Sequence, residues 1–182
     1  QEASRAGDYE LLSLADIFAQ HEQGETAERL MTERAQTTKD SRIFEWLKEH
    51  HKKKGDAAGA LVWARKIYAD QPSLEYYREM RNFASPLGTW QTMRAEILAD
   101  LNQRKDAGLL TEIHLEDNEI GEALETVEKT QGSGMYYFYD SGLRLRVAAA
   151  AEATRPRDAL RLYLAAAERI IDARNRGAYA QA

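Results

Sequence analysis

No cysteine occurs among the 182 residues, which removes disulfide scaffolds, thiol catalysis and every thiolate zinc site together. The absence fits a reducing compartment, and the expected location is cytoplasmic. Apolar runs are short: none approaches the ~18 to 20 residues that span a bilayer. The leading Gln1-Glu2-Ala3-Ser4-Arg5 has no signal-peptide core, so no membrane association is expected. Charge of one sign is also lacking. A net charge of −5 with 30% charged residues gives a salted surface without global attraction to nucleic acid or anionic lipid.

Catalytic signatures are missing too. Gly132-Ser133-Gly134 runs into aromatics and lacks the Lys and hydroxyl of a phosphate loop. Glu116, Asp117 and Glu119 fall at a turn, where acids favour the next helix N-terminus over acid/base chemistry. His21, His50, His51 and His114 form no His-x-x-x-His or Glu-x-x-His pair, and a metal site needs three or four convergent ligands. His50 and His114 lie along or beside apolar stripes and read as structural. The expectation is a non-enzyme with no cofactor and no metal.

Proline is confined to Pro72, Pro86 and Pro156, and the stretches between are rich in Ala, Leu, Glu, Arg and Lys, which cost little in a helix. Apolar residues recur at helical spacing. The stripes are Leu11, Leu14, Ala15, Phe18; Ala57, Ala60, Leu61, Ala64, Ile67, Tyr68; Trp90, Met93, Ile97, Leu101; Ile120, Ala123, Leu124, Val127; and Leu160, Tyr163, Ala167, Ile170, Ile171. Punctuation between them suggests helix ends: Gly24 and Gly55 as C-terminal turns, Ser85-Pro86 as an N-cap followed by a first-turn proline, and Asn118 as an N-cap. The pattern predicts about ten helices, at 8–21, 25–38, 41–54, 56–70, 73–84, 87–104, 106–117, 119–131, 135–153 and 156–175, with an eleventh starting at Ala178.

Spacing along the chain is near-constant. Gly24, Gly55, Gly88 and Gly121 are 31, 33 and 33 residues apart, and Ala27, Ala60, Met93, Ala123 and Ala159 are 33, 33, 30 and 36 apart. A period near 34 is that of tetratricopeptide hairpins. The stretch from Gly55-Asp56 through Ala60, Ala64 and Ile67 to Pro72 resembles the second half of such a repeat, with Phe44, Trp46 and Leu47 supplying bulk in the first helix. The expected fold is all-α, a right-handed α-solenoid of stacked antiparallel hairpins with degenerate repeats, forming one domain over 1–182. Because the closing Arg174 to Ala182 segment lacks a polar capping helix, the expectation is a fragment of a longer chain, truncated at both ends.

Two features suggest an interaction surface. Met135-Tyr136-Tyr137-Phe138-Tyr139 packs four aromatics into five residues, and Tyr76-Tyr77 is a second pair; consecutive bulky residues cover every side of a helix, so some should be exposed. Charge is uneven as well. Residues 106–131 hold eight acids against Lys129, a balance of −7, and residues 140–182 hold eight Arg against five acids, a balance of +3. His50-His51-Lys52-Lys53-Lys54 is a third, basic spot. The candidate surface residues are Tyr76, Tyr77, Tyr136, Tyr137, Tyr139, Arg155 and Arg157.

Arg174-Asn175-Arg176-Gly177-Ala178-Tyr179 after the Ala-rich helix from Leu160 to Ile171, with Glu112-Ile113-His114-Leu115 before an acidic turn, resembles the C-terminal helical region of bacterial SWIM zinc-finger proteins. The resemblance implies a zinc-binding module N-terminal to this stretch, in a family associated with nucleic-acid or protein binding. Zinc binding carries over to no residue here. Three functions follow as expectations: a protein-interaction scaffold with an unidentified protein partner, acting as a monomer or weak oligomer; an accessory nucleic-acid binder using the basic C-terminal helices and the tyrosines, at most weak; or a regulatory or recruiting domain of an enzyme whose active site lies outside this chain.

Overall fold

Aspartate and serine cap four of the helix starts. Asp40 accepts from Arg42 N, Asp56 from Gly59 N, Ser73 from Tyr76 N and Asp106 from Leu109 N, each satisfying a first-turn amide that has no partner within the helix. The computed structural model describes residues 7–21, 23–130 and 137–179, with the backbone path alone for 137–141, 169, 170 and 172–179. The described residues are all-helical, in ten helices and no strand. They are α1 (Asp8–Gln20), α2 (Gly24–Arg34), α3 (Ser41–Lys53), α4 (Ala57–Asp70), α5 (Leu74–Ala84), α6 (Trp90–Arg104), α7 (Ala107–Glu116), α8 (Ile120–Val127), α9 (Tyr137–Ala151) and α10 (Pro156–Tyr179).

The chain divides into two compact units, Gln1–Ala95 and Glu96–Ala182. In the first, α1 packs on α2, α3 on α4 and α4 on α5, with α1 also touching α3. Its core is Leu11, Ala15, Ala27, Met31, Ala35, Ile43, Leu47 and Trp63, and the Phe44 and Trp63 rings stack at 6.0 Å. Farther along, Tyr77, Met80 and Ala84 turn inward from α5.

In the second unit α7 packs on α8, α9 on α10, and α7 also touches α9. Its core is Ala123, Leu124, Val127, Leu143, Val147, Ala148, Ala151, Ala159 and Leu162. Alanines dominate where α9 meets α10, because small side chains let two helix backbones approach closely. His114 joins α7 to the start of α8: its Nδ1 lies 2.7 Å from Glu119 Oε2.

Several helix ends differ from the sequence reading. Ser85 does not cap α6; its hydroxyl donates back to Arg81 O at 2.6 Å, closing α5. Residues 85–88 form a turn in which Gly88 takes φ +69°, and α6 starts at Trp90. Asn118 is no N-cap either: it adopts φ 59°, the left-handed conformation that asparagine tolerates better than most residues, and Glu119 opens α8. Gly24 is the first residue of α2, whereas Gly55, at φ +73°, does end α3. No eleventh helix begins at Ala178, since α10 continues through Gly177 to Tyr179.

The largest correction concerns α10. Leu160 and Ile171 were expected in its buried stripe, yet the helix buries Ala159, Leu162 and Ala166. At 100° per residue the two faces lie roughly 130° apart. The helix carries two apolar stripes, and the one with more alanine faces α9.

Candidate interaction surface

Tyr76 and Tyr77 are adjacent in sequence but 100° apart around α5, and the fold treats them oppositely. Tyr77 is 0% exposed, so it is corrected from a surface residue to a core residue. Its ring meets Trp90 edge-on at 5.0 Å, and its hydroxyl accepts from Arg94 Nε at 3.2 Å. Tyr76 is half-buried and donates to Glu45 Oε1 at 2.7 Å. That hydrogen bond to a carboxylate, reinforced by burial, pushes its phenol up to about 12.

Beside Tyr76 sits a buried cation. The Lys48 side chain is 4% exposed, with its Nζ 2.7 Å from Glu45 and 2.6 Å from Glu79 and 5.4 Å from the Tyr76 ring centroid. Burial opposes its charge, but the two carboxylates outweigh that and hold the ammonium above the ordinary lysine range. Tyr76 therefore serves a buried charge cluster linking α3 to α5.

The aromatic run Met135 to Tyr139 lies largely outside the described residues. Tyr136 is outside the described residues, and for Tyr137 and Tyr139 the backbone alone is described. Arg155 and Arg157 are exposed at the start of α10, as expected of surface residues.

The uneven charge is largely answered inside the fold. Arg146 pairs with Glu112 at 2.9 Å, and Arg161 pairs with Glu128 at 2.6 Å and Asp158 at 3.2 Å, so the basic stretch partly neutralises the acidic one. Arg144 is buried and donates to Thr130 O and Oγ1. The basic spot at the end of α3 is likewise met by acids: Lys52 by Glu49 at 3.3 Å and Lys54 by Glu28 at 2.7 Å.

His50 and His51 belong to the same network. His50 Nε2 lies 3.2 Å from Glu28 Oε2, and its ring stacks on Trp46 at 4.9 Å, although the carboxylate is not aligned as a hydrogen-bond acceptor. His51 Nδ1 lies 2.9 Å from Asp56 Oδ2. A Cβ on Gly59 would collide with the His51 ring and the Asp56 carboxylate, so glycine there is what allows the ring to cover the start of α4. Among the described residues no group of three or more His, Asp or Glu side chains is arranged to hold a metal ion.

Burial is the main influence on His50 and lowers its pKa below 6.5, against the pull of Glu28. The folded state therefore takes up this proton later than the unfolded chain does as pH falls. Its contribution to stability is complete above 6.5 and declines as pH drops below that value. Melting temperature should fall between about pH 7 and about pH 5, and His50→Gln should flatten that segment. Thermal melts across this range check it; an identical slope in His50→Gln would assign the effect elsewhere. Glu28 and Asp56, held low by Lys54 and by the Gly59 amide respectively, are lost only in more acidic solution.

A groove of about 400 Å³ runs beside α2, lined by Glu25, Glu28, Arg29, Thr32, Glu33 and Lys54. Five of these six residues are charged, whereas small-molecule sites are lined mostly by hydrophobic and aromatic side chains.

Among the described residues, the most exposed continuous apolar feature is on α10. Leu160, Leu164 and Ile171 are 59%, 56% and 58% exposed, and Ala167 between them is exposed as well. Their spacing of four, three and four residues places all four on one stripe. Other large exposed apolar residues, Tyr9, Ile17, Val62, Leu87 and Leu145, belong to α1, α4, α9 and the turn before α6. A contiguous apolar stripe is a candidate contact surface, whereas scattered apolar residues are ordinary. Sequence reading named Leu160, Ala167 and Ile171 of this stripe but placed them on the buried side, and did not include Leu164.

Among the described residues no helix is long and apolar enough to cross a membrane. No protein-family model, curated protein or solved structure matches this chain.

Proposed function

We propose that the chain is a non-catalytic helical scaffold that docks a protein partner, with the outer face of α10 as a principal contact surface. The observation that carries this reading is the exposed row Leu160, Leu164, Ala167 and Ile171, a strip of apolar surface of the kind that interfaces cover. Consecutive helices packing as hairpins, with α1 touching α3 and α7 touching α9, support a tetratricopeptide-like repeat arrangement within each unit. In this reading the chain is part of a larger multidomain protein, of the SWIM zinc-finger type that its C-terminal sequence resembles, or a recruiting domain of an enzyme.

The nucleic-acid reading has less support. Of the eight arginines in residues 140–182, Arg144 is buried and Arg146 and Arg161 already face carboxylates, which weakens their pull on a phosphate backbone.

A photo-cross-linking amino acid tests the scaffold reading. Placed at Leu164 in cells, it should give a discrete protein adduct, and placed at Val62, also exposed but outside the stripe, it should give none. No adduct at 164, or equal labelling at both positions, would remove α10 as the docking face.

A further inference from the structure

We infer that the partner of the α10 face is a second copy of this chain, paired through antiparallel α10 helices. This rests on the scaffold reading above and names its occupant. The argument begins with spacing. Leu160, Leu164, Ala167 and Ile171 repeat at the alternating four and three residues of a coiled-coil seam, and Arg157 takes the next seam position on the N-terminal side, which limits the apolar part to four layers.

A two-fold axis crossing the seam midway between residues 165 and 166 makes all four layers at once. Leu160 then lies opposite Ile171 of the second copy, and Leu164 opposite Ala167, each pairing occurring twice. The central layers set a large side chain against a small one, which suits close packing.

The same symmetry operation orders the flanking charges. Arg161 and Glu168 each follow a seam residue and are exposed on the same edge, the edge that faces its own counterpart when two helices run antiparallel. In this register Arg161 of one copy comes alongside Glu168 of the other, and the pair recurs across the axis. The edge charges fit this arrangement, whereas a parallel pairing would set Arg161 against no acid on this edge; the same register ends at both sides on Arg157 opposite position 174 of the second copy, also an arginine, a like-charge layer that bounds the apolar seam and keeps the association weak. The existing Arg161 contacts to Glu128 and Asp158 both run through one terminal nitrogen, and a guanidinium carries five donors.

Four layers give a small interface, near or below the ~1,200 Å² lower end of stable complexes, so the association should be reversible and concentration-dependent. Sedimentation equilibrium of the full chain, from low micromolar to about millimolar concentration, should report a monomer–dimer exchange in the micromolar range or weaker. Leu164→Glu should weaken it by more than about tenfold while leaving circular dichroism and melting unchanged, since the side chain is exposed in the monomer.

Charge reversal gives the sharper test. Arg161→Glu and Glu168→Arg should each weaken self-association, because each sets like charges against one another. An equimolar mixture of the two should recover a heterodimer, since every pair is then opposite in sign. Recovery cannot come from damage to either monomer, so it separates docking from folding. A wild-type chain that stays monomeric throughout, a dimer indifferent to Leu164→Glu, or a mixture that fails to associate would overturn the inference. A monomer whose position 164 cross-links to a different protein would overturn it while sparing the scaffold reading; a monomer with no adduct at 164 would end both.

Discussion

Tyr77→Ala should lower stability by about 3 to 5 kcal/mol, as expected for deleting a large aromatic from a packed core. The ring is fully buried, edge-on to Trp90 at 5.0 Å, with the Arg81 guanidinium 5.9 Å from its centroid. The cavity left behind loses dispersion contacts as well as transfer free energy. Against a typical total of about 5 to 15 kcal/mol, this change would leave the first unit marginal. Tyr77→Phe keeps the ring and removes the hydroxyl that accepts from Arg94 Nε, which should cost about 1 kcal/mol. Urea unfolding followed by tryptophan fluorescence measures both. A Tyr77→Ala protein as stable as wild type would mean that the ring is a surface contact after all.

Removing the two nearest carboxylates from Lys48 should be nearly as damaging. Glu45→Gln with Glu79→Gln leaves an ammonium 4% exposed with Glu49, at 4.0 Å, as its remaining carboxylate, and stranding a buried charge costs up to about 3 to 5 kcal/mol. Glu79→Gln alone should cost less, because Glu45 remains at 2.7 Å. Adding Lys48→Met to the double variant should recover much of the loss, since an apolar side chain of similar length removes the charge that needed partners. Chemical denaturation of the single, double and triple variants checks the order. If the triple variant is no more stable than the double, the penalty lies in lost packing or in the Tyr76 hydrogen bond to Glu45, and the desolvation argument fails.

Both results turn on α5, where sequence patterning was least informative. Tyr76 and Tyr77 look alike in sequence, and each is apolar enough to be buried and polar enough to be exposed. What separates them is the 100° between adjacent residues on a helix, which acquires a meaning only when the direction of the core is known. Lys48 poses the same difficulty. Within α3 it has Glu45 three residues earlier, an ordinary surface pair, and the second carboxylate, Glu79, arrives from a helix 31 residues away.

Much of the helical framework, by contrast, is local. Low-cost helix formers fill the segments, Asp40, Asp56, Ser73 and Asp106 supply side-chain acceptors to first-turn amides, and Gly55 allows the positive φ that ends α3. Each of these acts within a few residues, so its energy is readable from neighbouring letters. Where two turn residues competed for one role the reading slipped, as at Ser85, whose hydroxyl was engaged by Arg81 O, and at Asn118, which took the left-handed position.

The sequence by itself determined that the described chain is helical and nearly where each helix lies, and it placed all five apolar stripes inward, which holds for four of them. Those outcomes follow from propensity, capping and 3.6-residue periodicity, all short-range. Only the tertiary structure decided which stripe of α10 is buried, because Ala159, Leu162 and Ala166 and the row from Leu160 to Ile171 are both apolar and both helically spaced. The choice was made by the alanine-lined face of α9, where Ala148 and Ala151 admit small residues at close approach, and that fit leaves the leucines on the outside.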